Sequence, residues 1–178
     1  MKGKSASPTQ PQQQYLSFSL NPSWQALLSA NQLAEIVRLD PTQIVPISEM
    51  PQAVIGVCPA QGEVLWLVDL AHLFGLSPLM KPANLQSNCS MIKARSRRGN
   101  LGLWVAQVGE LVSCEPASIQ AGELGYRQLQ NRQNSSTPKE STAAIQPHWI
   151  QGSWQRSPDS IILPILDLEA ILQDLARE

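Results

Sequence analysis

Two stretches of the chain share one pattern of apolar and polar positions. GEVLWLVDLAHLFG (62–75) and SIILPILDLEAILQ (160–173) each run apolar for about six residues, reach Asp-Leu, and continue as a short amphipathic segment. Each apolar run predicts a strand that is buried on both faces. Asp69 and Asp167 then predict the N-caps of short helices. The repetition predicts two similar small β subdomains, one in each half of the chain.

The remaining pattern also indicates strands. A glycine precedes each repeated phrase, Gly56 before Asp69 and Gly152 before Asp167. ANQLAEIVRL, 30–39, predicts a short helix that runs into a strand, and 167–178 predicts a closing helix. Turn signals recur every 8–12 residues or so, which favours small barrels or sandwiches. Strands are predicted at 15–20, 24–29, 53–60, 63–70, 88–95, 101–108, 110–116, 148–154 and 160–166.

Polar segments set the predicted boundaries. Residues 1–14 are rich in proline and glutamine, which predicts a disordered N-terminal tail. The rest, 15–178, is predicted as one domain with subdomain 1 at about 15–80 and subdomain 2 at about 81–178. Within the latter, 117–147 is polar and predicts a long, partly disordered surface loop.

Composition narrows the class of function. Of 178 residues, 43% are hydrophobic, 15% are charged, and the net charge is −1. A nucleic-acid or anionic-membrane binder needs a cationic excess, so neither is expected. No apolar run approaches the roughly 18–20 residues that cross a bilayer, and the N-terminus has no signal-like apolar core. We therefore expect no membrane insertion and a cytoplasmic location.

The search for catalytic chemistry finds no site. Asp69 and Asp167 follow buried strands, as a phosphoacceptor would, but no acid pair accompanies them to hold Mg²⁺, so helix N-caps are favoured. Cys58 with His72 suggests a thiol nucleophile, yet Cys58 lies in an apolar strand, which favours an inert thiol. No cofactor or metal site is predicted.

Two further groups of residues have a plain and a functional interpretation. A basic cluster at a predicted hairpin favours a solvated turn over a phosphate site, because no aromatic platform accompanies it; it consists of Lys93, Arg95, Arg97 and Arg98. The five tryptophans are predicted to be mostly core, with one or two available to anchor a partner.

Several segments resemble the signatures of CheW-like domains. VIGVCPAQGEVLWLVDLAHLFGL is similar to the family's hairpin, V-x-G-V-I-N-L-R-G-x-V-x-P-V-I-D-L. QLAEIVRL resembles its V-x-E-V segment, NLGLWVAQVGELVSCEPASI its G-L-x-V-D-x-V segment, and HWIQGSW with IILPILDLEAIL its closing repeat. The resemblance covers about residues 15–175. It implies a mainly β fold of two small five-stranded SH3-like β-barrel subdomains with short helices and a C-terminal helix.

The resemblance also implies a function and a set of residues. CheW-like proteins are adapters that link a methyl-accepting chemoreceptor to the regulatory domain of a CheA-type histidine kinase, and they are not enzymes. The Trp of VLWLVDL is more similar to versions that serve type IV pilus motility or phototaxis. Carried over by position, the receptor or kinase contacts are Leu33, Glu35, Ile36, Gly56, Gln61 and Gly62.

This sequence departs from the family at one of those positions. Gln61 stands where the family has the arginine that pairs with the glutamate at Glu35. We therefore expect Glu35 to use a neutral hydrogen bond, Arg38 or water. Ala106-Gln107 also replaces a usual acidic pair.

Three hypotheses follow. The first is the signalling adapter; the second is a CheW-like or SH3-like interaction module in another complex, without a receptor. The third is an enzyme with an unrecognised site. A cleft with two or more convergent titratable groups would favour the enzyme, and a groove lined by apolar side chains would favour the adapter.

Overall fold

The computed structural model describes residues 11–80, 90–122, 146–158 and 160–177. That part of the chain is mainly β. Its strands are β1 Gln13–Asn21, β2 Trp24–Ser29, β3 Leu33–Arg38, β4 Val54–Ala60, β5 Glu63–Asp69, β6 Ser90–Ser96, β7 Gly99–Val105, β8 Gln107–Cys114, β9 Gln120–Ala121, β10 Ile150–Gln155 and β11 Ile162–Leu166. Its α-helices are α1 Leu70–Leu73 and α2 Leu168–Leu175, and short 3₁₀ helices lie at Ala30–Gln32, Pro41–Gln43, Pro116–Ser118 and Pro147–Trp149.

The strands form two sheets. A six-stranded sheet has the order β8-β1-β2-β11-β10-β9, and a five-stranded sheet has the order β3-β6-β7-β5-β4. Neighbouring strands are antiparallel except for β2 with β11 and β5 with β7, which are parallel. The mainly β, two-subdomain architecture predicted from the sequence is therefore confirmed.

The sheets do not follow the halves 15–80 and 81–178. β1 and β2 join strands from the end of the chain, while β6 and β7 join β3, β4 and β5. The two parallel strand pairs, β2 with β11 and β5 with β7, account for this exchange of strands between the halves. Parallel neighbours cannot be joined by a tight turn, so β5 and β11 each pair with a strand from a distant part of the chain.

Each sheet nevertheless contains the same series of elements. A hairpin (β1-β2 or β6-β7) pairs with an end strand (β8 or β3), and a second hairpin (β10-β11 or β4-β5) leads into a short helix. Asp69 accepts a hydrogen bond from the amide of His72 at 3.0 Å, and Asp167 accepts one from Ala170 at 3.0 Å. Both aspartates are the helix N-caps that the repeated phrase predicts.

The ends of each sheet are joined by a bent segment. After β3 the chain turns through Pro41–Gln43, and Val45 then exchanges two backbone hydrogen bonds with Val57 of β4, at 2.8 and 2.9 Å. After β8 it turns through Pro116–Ser118, and β9 pairs with β10. Each sheet is thus a curled sheet joined by a bent chain segment, and not a barrel closed by a continuous ladder.

A glycine lies beneath each bent segment. A Cβ built on Gly56 would fall 2.2 Å from the carbonyl oxygen of Val45, and one built on Gly152 would fall 2.8 Å from that of Gln120. The pairing register shifts at both glycines, opposite Leu67 and Ile165. The two glycines named by the sequence pattern therefore allow two backbones to approach closely.

Three apolar clusters make up the core. One lies on the concave face of the five-stranded sheet and includes Leu67, Met91 and Trp104; one lies in the six-stranded sheet and includes Leu27 and Ile165. The third is shared: it contains Leu28, Leu103, Leu70 and Leu168, from both sheets and both α-helices. Central strands are apolar on both faces because one face lines a curled sheet and the other lines the shared cluster.

An aromatic row connects the two sheets within the shared cluster. The ring of Phe74, at the end of α1, lies 5.2 Å from that of Trp24 and 5.8 Å from that of Trp149, measured between centroids. These tilted contacts join the helix of one sheet to a strand and a turn of the other. Such pairs add about 0.5–1.5 kcal/mol each beyond the apolar area that they bury.

Some polar segments are more ordered than their composition predicts. Gln13 and Gln14, assigned to the disordered tail, pair with Cys114 and Ser113 in β8, because an adjacent strand supplies partners for their backbone groups. The predicted loop 117–147 begins inside a 3₁₀ turn and contains β9. Residues 1–10, 81–89 and 123–145 lie outside the described residues.

The close contact at Gly56 generates a prediction. Gly56→Ala should lower the free energy of unfolding by about 3 kcal/mol or more, because the new Cβ meets the Val45 backbone and Gly56 has a φ of +149°. Urea unfolding followed by tryptophan fluorescence measures the change. Gly62→Ala is the matched control: its φ is +82° but its Cβ meets nothing within 4 Å, so a cost of about 1 kcal/mol is expected. Equal costs would contradict a steric role for Gly56.

The two N-caps are expected to differ in strength. Asp69 is 1% exposed and also accepts hydrogen bonds from the amides of Leu79 at 2.7 Å and Met80 at 3.4 Å, whereas Asp167 caps α2. Asp69→Ala should therefore cost about 3 kcal/mol and Asp167→Ala about 1 kcal/mol. Chemical denaturation of both variants checks the order. An equal or reversed order would show that the hydrogen bonds from Leu79 and Met80 to Asp69 add no stability.

Candidate partner-binding surface

The β4–β5 hairpin ends in a tight turn at Gln61 and Gly62. Both residues have positive φ, +48° and +82°. That conformation is required at the two central positions of a type I′ turn, whose twist matches the flanking strands. The side chain of Gln61 is exposed at the tip. The turn between β4 and β5 therefore exposes a glutamine side chain to solvent.

Gln61 connects the hairpin tip to the opposite edge of the five-stranded sheet. Its Nε2 donates a hydrogen bond to Oε1 of Glu35, on β3, at 2.6 Å. β3 and β4 are the two ends of that sheet, so this contact bridges them through side chains. The neutral hydrogen bond expected for Glu35 is thus present, and Gln61 supplies it.

A second polar pair lies beside the first. Lys93, on β6, is 8% exposed and pairs with Glu63, which also accepts from Nδ2 of Asn100 at 3.2 Å. The hydrogen bond from Lys93, followed by that from Asn100, lowers the pKa of Glu63. Lys93 therefore does not belong to a solvated basic turn as predicted, since its stem is buried in the sheet; Arg95, Arg97 and Arg98 are exposed.

An apolar surface covers the outer face of the same hairpin. Val64 is 69% exposed and Trp66 is 46% exposed. Strand pairing places Pro59 opposite Val64, Val57 opposite Trp66, and Val45 beside Val57, so these side chains share one face. We call this surface the hairpin stripe: Val45, Val57, Pro59, Val64 and Trp66.

The hairpin stripe corrects one expectation and refines another. β5 was predicted to be buried on both faces, but its first half is buried on one face only, because the shared cluster reaches Val68 and not Trp66. Of the five tryptophans, Trp66 is the exposed one; Trp24, Trp104, Trp149 and Trp154 are buried. A signal was present in the sequence, since Pro59 and Val64 are neighbours across a two-residue turn with no polar residue on their face.

The predicted contact residues fall into three settings. Glu35 and Gln61 touch, and Gly62 completes their turn. Ile36, 46% exposed, follows Glu35 on β3. Leu33 begins β3 instead of lying in a helix, and it packs against the shared cluster, while Gly56 is buried beneath Val45.

The described residues offer little for covalent or metal chemistry. Among them, no group of three or more His, Cys, Asp and Glu side chains is placed to hold a metal ion. Burial raises the pKa of Cys58 and raises that of Cys114 to about 11, so both are protonated thiols at neutral pH. No helix in the described part of the chain is long and apolar enough to span a bilayer.

A cleft of about 640 Å³ separates α1 from α2, with His72, Trp149 and Arg177 among its lining residues. Oδ2 of Asp174, a residue that lines the cleft, lies 2.6 Å from Nε2 of His148 and accepts a hydrogen bond from the Trp149 indole at 2.9 Å. The hydrogen bond from His148, followed by that from Trp149, lowers the pKa of Asp174. These contacts tie the C-terminal helix to the turn before β10.

Comparison with known proteins gives a family and a fold. A family model described as CheW-like domain matches residues 14–176. Among solved structures, the scaffolding protein TtCheW from Thermoanaerobacter tengcongensis superposes with a TM-score of 0.66 at 20% sequence identity, over 90% of this chain and 92% of that one. No curated protein matches this chain.

The Asp174 contacts predict a pH dependence. Because the folded-state pKa of Asp174 is lowered, its contribution to stability is present above the unfolded pKa and is lost as the pH falls through the folded one. Wild type should therefore lose more stability than Asp174→Asn between about pH 5 and pH 2. Urea midpoints across that range measure the difference, and parallel curves for the two proteins would show that Asp174 is not stabilised by His148 and Trp149.

Proposed function

Because the chain belongs to the CheW-like domain family, we propose that it is a non-enzymatic adapter that couples a chemoreceptor-type sensor to a CheA-type histidine kinase. Family membership supports the adapter class, with the complex in the cytoplasm. The departures at Gln61 and Trp66 support a variant that serves type IV pilus motility or phototaxis. The sensor is a methyl-accepting chemoreceptor, and the kinase binds through its regulatory domain.

The observation that carries this proposal is the hairpin stripe. An exposed tryptophan and valine on paired strands, with the apolar Val57 and Pro59 opposite them, form the kind of surface that marks a protein interface. Burying the exposed parts of Val64 and Trp66, 69% and 46%, against a partner would contribute about 1–2 kcal/mol for each side chain. Contacts of this size are individually weak, and several of them together can build an array.

The partner for the stripe is a β-barrel of the kinase's regulatory domain. The members of the stripe are neighbours by strand pairing on one face of the hairpin, so they can pack together against another sheet. The sensor would use the neighbouring polar edge of the sheet. That edge contains the exposed Ile36, the linked Glu35 and Gln61, and Gly62 at the turn, while Leu33 and Gly56 support it from beneath.

One observation bears on the enzyme hypothesis. The cleft between α1 and α2 is lined by the titratable residues His72, Asp174 and Arg177. Asp174 pairs with His148 at 2.6 Å and lies 4.0 Å from Arg177. Asp174 is thus already engaged by neighbouring side chains, and the hydrogen bonds from His148 and then Trp149 lower its pKa, as contacts that stabilise a helix would. Neither buried cysteine lines the cleft. The arrangement therefore favours a structural role over a general acid–base pair.

A pull-down from a lysate of the source organism tests the adapter. The tagged full chain should retain both a CheA-type kinase and a chemoreceptor, identified by mass spectrometry. Kinase without receptor would support the second hypothesis, an interaction module in another complex. Retention of neither would overturn the adapter proposal, and substrate turnover by the purified chain would support an enzyme.

A pair of matched variants assigns the surface. Val64→Ser with Trp66→Ser should reduce kinase capture by about tenfold or more, because the apolar contact is lost. Leu111→Ser with Ile161→Ser removes two side chains of similar exposure, 54% and 56%, one on β8 and one just before β11, and should leave capture unchanged. Circular dichroism confirms that both double variants fold. Equal loss in both would remove the stripe as the kinase surface.

A further inference from the structure

Glu35 has an incomplete set of partners. Its Oε1 accepts the amide of Gln61, but its Oε2 is buried and accepts no hydrogen bond. Over the described ranges of the chain, this is the one buried side-chain oxygen without a partner; the other unpartnered buried atoms are the indole nitrogens of Trp24 and Trp104. A buried polar atom that lacks a partner costs about 1–3 kcal/mol, and more when it is charged.

The cation opposite Glu35 on the neighbouring strand does not neutralise the Glu35 carboxylate. Lys93 lies directly across from Glu35 in the β3–β6 pairing, yet its Nζ pairs with Glu63. The formal charges of Glu35, Glu63 and Lys93 sum to −1, from two negative groups and one positive group. Gln61 and Asn100 add hydrogen bonds without adding charge. The group formed by Glu35, Glu63 and Lys93 therefore retains one negative charge that these contacts do not neutralise.

The side chain that covers Glu35 is easily displaced. Gln61 lies at the tip of a two-residue turn, is exposed, and is held to Glu35 by one hydrogen bond from its uncharged amide. A guanidinium group donates two parallel N–H groups to a carboxylate and brings a positive charge, so its contact is stronger than the single hydrogen bond from an uncharged amide. A guanidinium that enters beside Gln61 can thus satisfy both oxygens of Glu35.

We propose that Glu35 and Gln61 form a binding site for an arginine side chain of a partner protein, with Gln61 as its displaceable cover. The arginine replaces the amide of Gln61 on Oε1 and donates to the orphan Oε2. The identity of that partner rests on the proposed adapter function, and the site itself does not. Partners with a neutral residue at the contact are discriminated against, because they leave the carboxylate oxygen unsatisfied.

An arginine probe tests the site without any partner. N-acetyl-arginine amide is titrated into the ¹⁵N-labelled full chain, with the isosteric but neutral N-acetyl-citrulline amide as the control ligand. We expect saturable amide shifts at Glu35, Gln61 and Gly62 with arginine, and an affinity about tenfold or more weaker with citrulline. The absence of shifts at these residues, or equal shifts with both probes, would overturn the proposal.

Two variants keep the test specific. Glu35→Gln removes the charge but retains a hydrogen-bonding oxygen, and Gln61→Arg places a guanidinium beside Glu35 within the chain itself. Each should abolish the saturable response to arginine. An unchanged response in either folded variant would show that the probe binds elsewhere.

The partner can then be examined separately. For the sensor or kinase retained in the pull-down, Glu35→Gln and Gln61→Arg should each weaken binding by about tenfold, measured by calorimetry. Arginine binding together with an empty pull-down would retain the site and reject the adapter function. A retained partner that binds all three proteins equally would retain the adapter and reject the arginine site.

Discussion

The close approach of two backbones at Gly56 and at Gly152 is the constraint on which the rest of the structure depends. At each point a bent segment passes over a hairpin, and there is no room for a Cβ between them. The bent segment connects the two ends of a curled sheet, so its contact with the hairpin determines how tightly the sheet curls. The curl in turn encloses a small apolar cluster and turns the hairpin outward. The hairpin stripe and the polar edge are both consequences of that arrangement.

The interleaved path of the chain follows from the pairing requirements of the central strands. β5 and β11 each pair with a parallel neighbour, and a tight turn cannot join two parallel strands. Each sheet therefore takes its first hairpin from a different part of the chain than its second. The shared cluster lies where the two sheets meet, and neither sheet can separate without exposing it. A fold built in this way depends little on charge, which agrees with a chain that has 15% charged residues.

The carboxylates of the protein differ in how many hydrogen-bond donors they have. Asp69 and Asp167 have backbone donors at hydrogen-bond distance, and Asp174 has two side-chain donors. Glu35 has one neutral donor and one unpartnered oxygen. The hairpin stripe, for its part, leaves Val64 and Trp66 exposed to solvent. The five-stranded sheet thus has both an unpartnered carboxylate oxygen and an exposed apolar stripe, two features that suit contact with a partner.

The sequence by itself determined the elements and their repetition. Local patterns identified the strand and turn of the β4–β5 hairpin, the two aspartate caps and the two glycines, because each of these depends on residues that are near one another in the chain. The tertiary structure decided which strands share a sheet, which face of β5 is open, and that Glu35 meets Gln61 while Lys93 meets Glu63. These outcomes depend on contacts between residues more than twenty-five positions apart, and no local pattern of apolar and polar residues encodes such contacts.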